Sequence, residues 1–109
     1  MNELKRKTLC QLGLSPMKTG FWYAADALHA VHSDPQALTS LTKHVYPVVA
    51  EHFSVSPAAV ESGLRRAVDT CWRKNPDLLE VIMEETLPKR PTVGQFLAAM
   101  TLYIWYKDK

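Results

Sequence analysis

Two adjacent arginines, Arg65 and Arg66, follow Glu61 by one helical turn, behind the segment Ser56-Pro57-Ala58-Ala59. Helical spacing puts Glu61, Ser62, Arg65, Arg66, Asp69 and Arg73 on one outward face, opposite an apolar face of Val60, Leu64, Ala67, Val68, Cys71 and Trp72. The chemistry open to that outward set is recognition of a polyanion. Guanidinium forks match guanine edges and phosphate oxygens, and a glutamate can accept from a cytosine amine. Lys43 and the N-termini of helices can add contacts to a phosphate backbone. The first exposed positions, Ala58, Ala59 and Ser62, have little reach. A competing use of the same charges is a solvated helix face with the pairs Glu61–Arg65 and Asp69–Arg73, which would weaken a positive field.

Bond-making chemistry finds no support. No Ser-His-Asp, Cys-His or paired-carboxylate arrangement is suggested, and there is no Gly-rich phosphate loop, so neither an enzyme nor a small-molecule substrate is expected. His29, His32, His44 and His52 lack the partners that zinc spacing requires, and no metal or cofactor is expected. Cys10 and Cys71 are too isolated to suggest a disulfide framework; both read as small packing residues in a reducing cytosol. Lys5-Arg6-Lys7 and Lys89-Arg90 read as solvated charge, with phosphate contact as the alternative.

A chain of 109 residues reads as a single domain, residues 1–109, able to bury roughly two-thirds of its unfolded surface. Its net charge of +2 permits a nucleic-acid partner without demanding one. No apolar run approaches the roughly 20 residues of a membrane span, and no apolar region follows the basic N-terminal residues, so a cytoplasmic protein is expected.

The pattern that must position these residues is helical throughout, an all-α bundle of about six helices. Asn2 to Leu12 forms a first helix, stopped at Gly13. A second runs from Lys18 to about His32, with Phe21, Ala24, Ala25, Leu28 and Val31 on its buried face. Asp34 and Pro35 suit an N-cap and a first helical position. Leu38, Leu41 and Val45 continue the apolar stripe until Pro47, which must kink, break or restart the helix. A short helix reaches Phe53. Ser56 caps the next, from Pro57 to about Lys74. Asn75-Pro76-Asp77 ends it and opens another, Leu78 to about Thr86. Thr92 and Gln95 have capping-box spacing for a last helix to Tyr106. Trp22, Trp72 and Trp105 lie on apolar stripes and read as core, and one or two residues of the aromatic run Leu102-Tyr103-Ile104-Trp105-Tyr106 must point outward.

Residues 42–66 meet the demands of a helix-turn-helix. Ala50 is small where the second helix must cross. Val49, Phe53, Val55 and Val60 flank the turn. Ser54 stands in the slot that usually holds a left-handed glycine.

The chain resembles the C-terminal DNA-binding domain of the stage-zero sporulation protein A, over nearly its whole length. The resemblance rests on Thr42-Lys43-x-x-Tyr46-Pro47-x-x-Ala50-x-x-Phe53, then Val60-Glu61-x-x-x-Arg65-x-Ala67 and Trp72. Gly20, Tyr23, Ala27 and Pro91-Thr92-x-x-x-Phe96-x-Ala98 also fit. It implies an all-helical fold, a helix after Pro57 that enters the major groove, and transcription control in a spore-forming bacterium, often by two copies in tandem. Members carry a phosphoacceptor receiver domain; this chain leaves no room for one, so control by its own phosphorylation is not expected. Ser62 stands where the family usually has arginine, Ala59 where it has a basic residue, and Arg66 where it often has histidine.

The expected DNA-contacting set is therefore Lys43, Ser56, Ala58, Ala59, Glu61, Ser62, Arg65, Arg66 and Arg73, with duplex DNA as partner and a homodimer or tandem pair as an option. The rival expectation is a protein-interaction module that has lost DNA reading. A positive surface joining Arg65, Arg66, Arg73 and a flanking lysine favours DNA; a neutral or acidic face with an exposed aromatic patch near Trp105 favours a partner protein.

Overall fold

Among the described residues, seven α-helices follow from local signals that are written in the sequence. The computed structural model describes residues 2–106. Asn2 caps α1 (Glu3–Gln11), its side chain accepting from the Lys5 amide at 3.0 Å. Gly13 ends that helix at φ 105, a conformation costly for any residue with a Cβ. After α2 (Thr19–Ser33), Asp34 caps a 3-10 turn over Pro35–Thr39. Ser40 caps the one-turn α3 (Leu41–His44), and α4 (Tyr46–Phe53) restarts with Pro47 in its first turn. The helix expected from Pro35 to Pro47, with a short helix after it to Phe53, is thus three pieces, the last restarting beside Pro47. Two caps and a proline each interrupt the backbone ladder.

Ser56 caps α5 (Pro57–Lys74), accepting from Ala59 N–H at 3.1 Å. Asn75 does two jobs: its oxygen caps α6 (Pro76–Met83), and its amide donates to the Gln11 carbonyl at 2.8 Å, tying the α5–α6 corner to α1. The capping box before α7 (Val93–Thr101) is complete, with both Thr92 and Gln95 bonds formed.

Two boundaries differ from expectation. The sixth helix stops at Met83, three residues early, because Glu84 turns left-handed at φ 59. The last helix leaves α geometry after Thr101 and finishes as a π turn over Leu102–Tyr106. That turn leaves Ile104 buried and stacks Trp105 on His32, 4.1 Å between centroids and 7° between planes.

The α2 helix is the hub, packing against α1, α4, α5 and α7. Phe21, Leu28, Val31, Leu64, Leu79, Phe96 and Met100 are all but fully buried around it. Each such side chain contributes about 1.5–3 kcal/mol by leaving water. Among the described residues there is no strand, and no helix is long and apolar enough to cross a membrane.

Two side chains sit where their residue types did not point. Lys5, expected in solvent, is buried; its Nζ donates to the Ala25 carbonyl at 3.1 Å and lies 5.7 Å from the Trp105 ring centre. Burial pulls its pKa below the ordinary lysine value, against the opposing charge of Asp26. Trp22, expected in the core, is 42% exposed, with its indole N–H donating to the Pro16 carbonyl at 2.8 Å. Trp72 and Trp105, also expected in the core, are half-buried and pack against it.

Candidate nucleic-acid interface

The turn between α4 and α5 sets the geometry. Ser54 adopts φ 55 and ψ 45, the left-handed conformation its slot requires. The reversal is closed by Val55 N–H donating to the Ala50 carbonyl at 3.0 Å. Ala50, Val49 and Val60 are buried at the crossing as expected. Phe53 and Val55 are not: 39% and 36% exposed, they rim the crossing instead of locking it. Phe53 meets Tyr23 edge-to-face at 5.3 Å.

A second crossing, between α2 and α5, holds the outward face of α5 in place. A Cβ on Gly63 would stand 2.6 Å from the Tyr23 ring, and one on Gly20 would stand 3.4 Å from the Gly63 carbonyl and the Ala67 methyl. Glycine at both positions lets the helices meet at backbone contact distance. Sequence reasoning missed Gly63 because a glycine inside a helical pattern gives no periodic signal.

On the face this creates, Ser56, Ala58, Ser62, Arg65, Arg66 and Arg73 are exposed, and Ala59 and Glu61 half-buried. Lys43, exposed on α3, lines neither of the grooves described below. Both anticipated pairs form: Arg65 to Glu61 at 3.3 Å and Arg73 to Asp69 at 2.9 Å. Asp69 also takes Arg90 at 3.1 Å, a pairing across 21 residues that spacing within one helix does not reveal. The hydrogen bond from Arg73, joined by the charges of Arg73 and Arg90, holds the Asp69 carboxyl below its ordinary range. Arg66 carries no ion pair among the described residues. Exposed pairs of this kind are worth about 0–1 kcal/mol, so a phosphate can displace them at little cost.

The two arginines diverge. Arg65 leans into a groove of about 450 Å³ with Tyr46, Arg90 and the start of α7 at Gly94. Arg66 lines a groove of about 460 Å³ on the opposite side of α5, with Lys18, Arg73 and Lys74. Lys18 and Lys74 carried no signal in the sequence; the packing of α2 on α5 brings Lys18 beside Arg66, and Lys74 lies further along α5 itself. No group of His, Cys, Asp and Glu among the described residues is placed to hold a metal ion.

A family model described as sporulation initiation factor Spo0A C terminal matches residues 6–104. The chain belongs to that family. The Spo0A C-terminal family comprises DNA-binding effector domains of a sporulation transcription regulator, a regulatory and not an enzymatic class. The all-helical fold and the matched segment agree, since residues 6–104 run from within α1 to within the π turn and take in every helix between.

Proposed function

We propose that this chain binds duplex DNA by laying α5 in the major groove, and so regulates transcription. One observation carries the reading: Arg65 and Arg66 leave the exposed side of α5 into two cation-lined grooves on opposite flanks. A helix about 10–12 Å across fits a major groove about 12 Å wide. Its two flanks then face the two phosphate strands, where cations are needed. Family membership supports the same partner.

The tip of α5 limits what is read. Ala58, Ala59 and Ser62 offer no bidentate fork, and a missing arginine–guanine pair forfeits about 1–3 kcal/mol of discrimination. Glu61 and Arg65 are left as the base-reading pair, Arg66 and Arg73 as phosphate contacts, Lys43 and Ser56 as outlying backbone contacts. Binding is thus mostly phosphate neutralisation, and falls steeply with salt.

A fluorescence titration of a labelled duplex at two salt concentrations tests this. The wild-type chain binds at low salt and weakens at high salt; Arg65→Ala with Arg66→Ala lowers affinity at least tenfold, two phosphate or base contacts each being worth about a kcal/mol or more. Binding indifferent to both arginines, or absent at low salt, refutes the reading. Stoichiometry in the same titration decides between a lone copy and a tandem pair.

A further inference from the structure

The groove between α2 and α5 joins the second helix of the helix-turn-helix to an element outside it, and its charged lining is all positive. Lys18, Arg66, Arg73 and Lys74 line it, and no carboxylate among the described residues does. Arg73 is already held by Asp69, which leaves Lys18, Arg66 and Lys74 without ion pairs among the described residues. The groove's floor is the first turn of α2, where Thr19 and Gly20 begin the helix and no side chain caps it. Fifteen residues of α2 thus direct a positive dipole end into a space already lined by cations. The lysines are positioned. The aliphatic stem of Lys74 lies against Gly13, where an added Cβ would come within 2.8 Å of it, so left-handed Gly13 gives Lys74 its seat. Gly20, close to Gly63 and Ala67, holds the start of α2 against α5.

We infer that this groove binds one backbone phosphate of the DNA strand flanking α5, with Lys18, Arg66 and Lys74 as its cations and the Thr19 and Gly20 amides as its donors. The inference rests on the DNA reading above and adds a contact from outside the helix-turn-helix. Arg66 connects the two, since it projects from the middle of α5 into the groove. Such a contact fixes how α5 sits along the duplex and carries no base preference of its own.

The test uses the full chain and a labelled duplex over a series of salt concentrations. Lys18→Met with Lys74→Met keeps both aliphatic stems and removes both charges, which guards against a packing artefact; a thermal melt checks the fold. The expected result is a plot of log affinity against log salt shallower by about 0.9 for the lost phosphate, with affinity reduced by the same factor on duplexes of unrelated sequence. Amide signals of Thr19 and Gly20 shift on adding duplex to wild type and do not shift in the double variant. If salt slope and affinity stay at wild-type values while Arg65→Ala with Arg66→Ala weakens binding, the groove takes no phosphate and the DNA reading stands. If wild type itself shows no salt-dependent binding, both fall together.

Discussion

Ser54 holds a left-handed conformation at a position where glycine alone is free of strain. The Cβ penalty there is about 1–2 kcal/mol, partly offset by the extra freedom glycine has when unfolded. Ser54→Gly is therefore expected to stabilise the fold by about 1 kcal/mol and raise the melting temperature by about 4–8 °C. A melt unchanged or lowered would mean that the serine hydroxyl supplies something glycine cannot. The slot was legible in the sequence from its place between two apolar-flanked helices. So were the caps Asp34, Ser56 and Thr92, whose bonds reach only two or three residues along the chain. Glu84 was not: a second left-handed residue without a glycine gave no warning that α6 would stop.

Between elements, the sequence says less, because periodicity describes one helix at a time. The buried Lys5, the Asp69–Arg90 pair and both grooves arise only where segments distant in the chain meet. One such tie joins the support helix of the turn to the hub: His52 on α4 meets Asp26 on α2, Nδ1 to Oδ2, at 2.7 Å. The hydrogen bond and charge of Asp26 raise the His52 pKa above its ordinary 6.5. A histidine raised on folding binds its proton more tightly in the native state. The tie's contribution to stability is thus full below pH 6.5 and fades as pH rises through the higher native value. A ring-proton titration by NMR should find the His52 midpoint above 6.5, and Asp26→Asn should bring it back. A midpoint at or below 6.5 in the wild type would remove this account of the α2–α4 contact.

For the whole molecule the relevant quantity is the field around α5. The net charge is only +2, so the placement of a few acids decides how much of the arginine charge is felt. Asp69 alone engages Arg73 and Arg90, which line opposite grooves. On the DNA reading, Asp69→Asn should tighten duplex binding at low salt, with the gain shrinking as screening shortens to about 8 Å near physiological salt. Weaker binding by that variant would show that Asp69 orients the two arginines more than it neutralises them. The class and family-level reading were visible in the sequence because they rest on spaced residues within single helices. The field was not, since it depends on which helices face each other.

The glycine contact between α2 and α5 also bears on mechanics. With Tyr23 against Gly63 and Gly20 against Ala67, α5 has no room to roll closer to the hub. On the DNA reading, the entropy of ordering that helix is spent when the chain folds, so less is charged at docking. A protein that rigid does not reshape itself around a duplex of the wrong curvature. On the DNA reading, the misfit would fall on the DNA, and easily deformed pyrimidine–purine steps at the rim of the site would be favoured even where no side chain touches a base.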